Sequence, residues 1–289
     1  LLEESDGAQV VRFPKDKYPP CLLVRSDGAT LYATRDLAAA VYRKKTYDFA
    51  KCLYVVAYQQ DLHFKQLFEV LRMMGKPWAD DMVHVAHGMV SLEDGALSTR
   101  SGHVVFLEDV LNTAVSKALE TIEAKSPDLA DKEATAEAVG VGAVTFAMLY
   151  NGRIKDITFS YDKVLNFDGE TGPYVQYTYA RCASLMQKVA REGGEEDLSG
   201  IADEEGRALV TALGDFPEAV EQAAEKYEPS VVARQVMAVA QAFNKFYLGH
   251  NIAGAEPAVK NARLSLVAAT MTVLRNGLKL LGVKTPERM

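Results

Sequence analysis

Lys51-Cys52-Leu53-Tyr54-Val55-Val56-Ala57 is a continuous apolar run, and Met82 to Val90 is a second one. Between them, Asp61 to Met74 carries apolar residues at helical spacing and is closed by Gly75. This order reads as a β-α-β unit, because two apolar strands joined by one helix imply a right-handed parallel crossover. Ligands of such sheets sit at the carboxyl ends of the strands. Gln59, Gln60 and His63 fall just past the first strand, and the loop Leu97-Ser98-Thr99-Arg100-Ser101-Gly102 follows the second. That loop combines hydroxyl donors, one guanidinium and a glycine, the set a triphosphate requires. An exposed turn of the same composition is its plain alternative.

Towards the N-terminus, Leu22 to Arg25 and Thr30 to Tyr32 flank Ser26-Asp27-Gly28-Ala29, a hairpin signal in which Asp-Gly supplies the positive-φ position. Thr34 reads as the cap of a helix running to about Lys45, with Asp36 in its first turn and Arg43, Lys44 and Lys45 in its last. Towards the C-terminus, strand signals stop beyond about Leu107. Leu107 to Ala124, Lys132 to Tyr150, Gly172 to Arg191, Asp203 to Tyr227, Pro229 to Tyr247 and Pro257 to Leu281 all show helical spacing between Pro, Gly and Asn breaks. Asn166 to Pro173 is the most loop-like stretch among them, and Gly193 to Glu205 reads as an exposed acidic connection.

With 289 residues, 48% of them apolar, the chain is long enough for one large domain or two ordinary ones. No run approaches a membrane span, and the start has no signal-peptide pattern. Cys21, Cys52 and Cys182 lack metal-ligand spacing and read as reduced core thiols of a cytoplasmic protein. The net charge of -7 argues on its face against nucleic acid, but the average conceals a split. From Arg191 to Glu225 there are eleven acidic residues against two basic, a net -9; from Lys226 to Met289 there are nine basic against three acidic, a net +6. A scattered basic helical surface is as compatible with a solvated face as with nucleic acid.

Leu31-Tyr32-Ala33-Thr34-Arg35-Asp36-Leu37-Ala38, Tyr54 to Phe64, the Leu97 to Gly102 loop with His103-Val104-Val105, Thr171 to Tyr177, Glu228 to Arg234 and the terminal Pro286-Glu287-Arg288-Met289 together resemble arginyl-tRNA synthetases in order and spacing. The resemblance covers nearly the whole chain. It implies an α/β plus all-α fold: residues 1–115 as the second half of a Rossmann-type parallel-sheet catalytic domain, 116–165 as a helical connector, and 166–289 as a helical-bundle anticodon-binding domain. Two departures accompany it. No His-x-Gly-His nucleotide motif is present, so the chain reads as a C-terminal portion lacking the N-terminal domain and first Rossmann half. In the loop, the family often has Lys-Met-Ser-Thr-Arg-Lys-Gly, whereas Ala96 replaces the first Lys, Leu97 the Met and Ser101 the second Lys, leaving Arg100 as the only loop cation.

The resemblance implies that Asp36 holds the guanidinium of L-arginine, a five-donor fork matched by a carboxylate, with Tyr32 and Gln60 beside it. Ser98, Thr99 and Arg100 would hold the ATP phosphates and stabilise the transition state, with His63 near the nucleotide and Gly88 and Met89 against the adenine. Tyr174, Tyr177, Tyr247 and Met289 match positions used near the anticodon, where rings can stack on splayed bases. Each has a structural alternative: a helix-end acid for Asp36, a strand-end aromatic for Tyr32, a capping amide for Gln60, a carbonyl-bonded ring for His63, buried strand residues for Gly88 and Met89, and core aromatics for the tyrosines. The activity implied is arginine-tRNA ligation: ATP, with Mg2+ and no protein-bound metal, activates arginine, which passes to tRNA(Arg). The protein is expected to be a monomer without membrane association, and this chain alone to be inactive. A non-catalytic tRNA-binding module or paralogue is the competing reading.

Overall fold

In the computed structural model, which describes residues 1–92, 95–96, 105–191 and 193–289, the two apolar runs lie side by side and parallel. The chain divides into two compact units, Leu1–Met89 and Val90–Met289.

The first unit opens with three antiparallel strands, β1 (Leu2–Ser5), β2 (Ala8–Val11) and β3 (Cys21–Val24), of which the first two had no sequence expectation. Helix α1 (Tyr32–Tyr47), strand β4 (Cys52–Ala57), helix α2 (Asp61–Met73) and strand β5 (Met82–His87) follow. β4 and β5 pair in parallel from Cys52 opposite Met82 to Ala57 opposite His87. Phe64, Leu67, Phe68 and Leu71 on one face of α2 join Leu37 of α1 and Met82 in the core, with Trp78 packed against it edge-on to Phe49 at 6.0 Å.

Several local expectations change here. The Asp27-Gly28 turn forms, with Gly28 at φ +82, but its far arm is a single bridge from Val24 to Thr30, and Tyr32 already begins α1. Leu31 occupies the N-cap; Thr34 lies inside the helix and spends its hydroxyl on the Leu23 carbonyl. Asp36 therefore stands beyond the first turn, where the helix dipole has faded. The strand expected over Met82 to Val90 stops at His87 and resumes in the second unit as β6 (Val90–Leu92).

In the second unit β6 pairs antiparallel with β7 (Gly95–Ala96). Two long helices follow, α3 (Leu107–Lys125) and α4 (Lys132–Tyr150). Next comes β8 (Ile157–Phe159), parallel to β6, so strands do not end at Leu107. The remainder is helical: α5 (Tyr161–Val164), α6 (Gly172–Lys188), α7 (Glu204–Gly214), α8 (Phe216–Lys226), α9 (Ser230–Gly249) and α10 (Pro257–Leu280). The helix expected over Asp203 to Tyr227 is two, because Pro217 has no amide to give and starts α8 afresh. The acidic stretch before it is partly structural: Asp203 caps α7 through Gly206, and Glu204 and Glu205 fill the first turn. The Asp203 carboxylate also meets His250 Nε2, whose Nδ1 lies 2.8 Å from the Phe246 carbonyl, joining α7 to the end of α9.

Phe146, Val175, Met237, Phe243, Phe246 and Leu274 anchor the bundle core. All three cysteines are free; Cys21 and Cys182 are buried, and burial pushes the Cys182 thiol up to about 12, so it stays protonated. No helix among the described residues is long and apolar enough to cross a membrane.

Candidate functional site

The carboxyl ends of β4 and β5 carry the first group of residues. A short 3-10 turn, Tyr58–Gln60, leads from β4 into α2 and sets His63 in the first turn of that helix. On α1, Tyr32 and Asp36 are four residues apart and so share a face. His63 Nε2 meets Asp36 Oδ2 at 2.8 Å, the direct side-chain contact that the structure makes within this group. The Asp36 side chain is 38% exposed and the His63 side chain 23%, so the pair sits at the surface with one edge open. A ring nitrogen facing a carboxylate carries its proton, which fixes the orientation of both groups.

Tyr32 is 80% exposed. Gln60 is exposed at the N-cap of α2, but its side chain makes no capping bond. His63 is tied to a carboxylate and not to a carbonyl. Gly88 and Met89 follow the end of β5; the Gly88 carbonyl lies 2.7 Å from His87 Nδ1, while Met89 is 41% exposed. Ser98, Thr99 and Arg100 lie outside the described residues. No group of three or more His, Cys, Asp or Glu among the described residues could hold a metal ion.

The second group lines a groove of about 1400 Å³ in the Val90–Met289 unit. Its walls are the α3–α4 connection, α6, Tyr247 of α9 and residues 284–289. Thr171 caps α6 by accepting from the Tyr174 amide, and Pro173 fits its first turn. The helix then presents Tyr174, Tyr177 and Arg181 at spacings of three and four residues. The Arg181 guanidinium lies 4.9 Å from the Tyr177 ring and 5.1 Å from the Tyr247 ring. Its Nη1 donates to Asn244 Oδ1, and Asn244 Nδ2 donates to the Tyr174 and Thr178 hydroxyls at 2.9 Å each. Tyr247 also stacks on Phe243 at 6.0 Å. Tyr177, Tyr247 and Met289 line the groove, whereas Tyr174 is tied to it through Asn244.

Arg181 and Asn244 were missed by the sequence reading. A cation one helical turn after Tyr177 and an amide one turn before Tyr247 were the available signals, and neither is specific without the pairing of α6 with α9.

Comparison with known proteins covers both regions of the chain. Residues 1–161 match the catalytic domain of class I tRNA synthetases of the arginine type, and residues 175–289 match the DALR anticodon binding domain. The arginine-tRNA ligase of Halothermothrix orenii is 52% identical over the whole chain, which covers 51% of it. That of Clostridium botulinum strain Loch Maree is also 52% identical, with 52% of its length covered. The arginyl-tRNA synthetase of Thermus thermophilus superposes with a TM-score of 0.90 over 99% of this chain and 55% of its own, at 31% identity. The chain thus spans about half the length of the curated relatives it matches. With residues 1–161 matching the catalytic domain and the helical residues 175–289 matching the anticodon domain, it belongs to the class I arginyl-tRNA synthetase family.

Proposed function

We propose that this chain is part of an arginine-tRNA ligase, contributing the arginine-binding side of the catalytic site and the groove that receives the anticodon. The observation that carries this reading is the Asp36–His63 pair at the strand ends. It offers a fixed, half-open carboxylate where a class I sheet takes its ligand, and a guanidinium is the cation whose planar fork matches it. Tyr32, at the start of α1, and Gln60, in the turn before α2, are both exposed and complete the amino-acid side in this reading.

His63 acts on Asp36: it holds one carboxylate oxygen and leaves the other for substrate. The loop Ser98, Thr99 and Arg100 is assigned to the ATP phosphates, with Gly88 and Met89 against the adenine. Mg2+ would arrive on the phosphates of ATP and neutralise their charge. In the first step the arginine carboxylate attacks the α-phosphorus and pyrophosphate leaves. In the second, a terminal ribose hydroxyl of tRNA(Arg) attacks the arginyl carbonyl, gives up its proton and takes the acyl group as AMP leaves. No side chain serves as a covalent nucleophile, so positioning and electrostatics supply the rate. Residues 1–115, 116–165 and 166–289 are assigned to catalytic half, connector and anticodon domain. The protein works as a monomer in the cytoplasm in this reading.

In the groove, Tyr177, Tyr247 and Met289 are assigned to the anticodon, with Tyr174 holding Asn244 in place. The +6 charge from Lys226 to Met289 supplies attraction to phosphate. The test is binding of tRNA(Arg) and of an anticodon-altered tRNA to the enzyme at two salt concentrations, before and after removal of Arg288 and Met289. Stacking predicts a preference for the cognate anticodon that survives added salt and weakens on truncation. Equal affinity for both tRNAs at each salt, unmoved by truncation, would reduce the groove to a nonspecific basic surface.

A further inference from the structure

Gln176 is fully buried on α6, between the turns that carry Tyr174 and Tyr177. Its Nε2 donates to the Ala138 carbonyl of α4 at 2.9 Å and to the Lys284 carbonyl, 108 residues further along the chain, at 2.8 Å. Two carbonyl partners fix which end of the carboxamide is the nitrogen. The approach is so close that a Cβ on Gly142 of α4 would stand 2.7 Å from Nε2. Oε1, in contrast, is buried with no hydrogen-bond partner among the described residues. An unpaired buried oxygen costs stability, and the two bonds made by Nε2 offset that cost. What those bonds hold together is α6, α4 and the chain at Lys284.

Lys284 begins the segment 284–289, which forms one wall of the groove and ends at Met289, packed against the small core cluster of Ala118, Ile122, Ala136 and Val139. The other polar ties of the segment, Lys284 to Glu137 at 3.0 Å and Gln187 to Glu287 at 3.4 Å, are exposed and so contribute little. We propose that Gln176 is a positioning residue: its buried amide fixes the wall 284–289 in register with the tyrosines on the same helix, coupling the chain's C-terminal segment to anticodon binding. The inference rests on the anticodon reading of the groove.

The test uses the full-length ligase with Gln176→Met, carrying a nitroxide on Glu287→Cys, and measures label mobility together with kcat and KM for tRNA(Arg). The label should become mobile. KM for tRNA should rise about tenfold, as expected for two lost hydrogen bonds, with kcat and the KM for arginine within about twofold. In enzyme already lacking Arg288 and Met289, the same substitution should raise KM no more than about twofold, because the two changes act through one element. If Gln176→Met does not fold, Gly142→Ala displaces the amide without altering it and should give the same pattern. A label as immobile as in the parent overturns the proposal, as do effects of substitution and truncation that multiply independently. Truncation without effect on tRNA KM removes the groove reading instead, and a label that is then still released by Gln176→Met leaves the residue with a purely structural role, which also overturns the coupling.

Discussion

Asp36→Asn in the full-length enzyme removes the charge while keeping the shape of the side chain. In the parent, one carboxylate oxygen accepts from His63 at 2.8 Å, and with 38% of the side chain exposed the other remains open to substrate. A bound guanidinium would complete the burial of this edge, so the loss belongs to the range for hydrogen bonds to charged groups, about 1.5–3 kcal/mol, and not to that of a screened surface pair. At about 1.4 kcal/mol per factor of ten, kcat/KM for arginine should fall roughly 10- to 150-fold. Steady-state arginylation at varied arginine, with saturating ATP and tRNA, measures it, and KM for ATP should stay within about threefold. A fall in kcat/KM for arginine of less than about threefold, with the melting curve unchanged, would mean that Asp36 serves only to hold His63.

The 289 residues expressed alone should give no arginine-dependent exchange of pyrophosphate into ATP, since they span about half of their relatives; robust exchange free of host enzyme would refute this. Asp203 yields a pH prediction: burial would raise its carboxyl, but the Gly206 amide, the His250 ring and Arg263 hold it below the ordinary range. A carboxyl lowered on folding contributes stability present above its unfolded value of about 3.9 and lost as pH falls through the lower folded value. Asp203→Asn retains the cap to Gly206, so its deficit in urea unfolding should be present near pH 6 and shrink progressively as pH falls below about 3.9; a deficit independent of pH counts against the His250 pairing. Asn244→Ala removes the donor to the Tyr174 and Thr178 hydroxyls and the acceptor of Arg181 and should cost about 1–3 kcal/mol in urea unfolding, whereas a cost under about 0.5 kcal/mol would mean that water replaces the amide.

Long periodic segments were legible in the sequence. α4 spans Lys132–Tyr150 as read, α10 ends one residue short of expectation, and the β-α-β unit is present because unbroken apolar runs and a spaced helix leave little alternative. Short elements were not. β8 has three residues and exists through pairing with β6, 67 positions away, which no local pattern encodes. Thr34 was misread because a hydroxyl beside a helix start looks like a cap until a carbonyl from β3 claims it. Of the candidate residues, those in family motifs could be named in advance. Their partners could not: Asp36 and His63 are 27 residues apart, Arg181 and Asn244 are 63 apart, and Gln176 meets Lys284 across 108.

Trp78 is the only tryptophan of the chain, and it packs against the core of the Leu1–Met89 unit edge-on to Phe49. Its emission therefore reports on the Leu1–Met89 unit, while far-ultraviolet ellipticity is dominated by the long helices of Val90–Met289. The two optical signals amount to separate thermometers for the two halves of one polypeptide. Coincident melting curves would mark them as a single cooperative block, and separated curves would order their unfolding without any label being introduced.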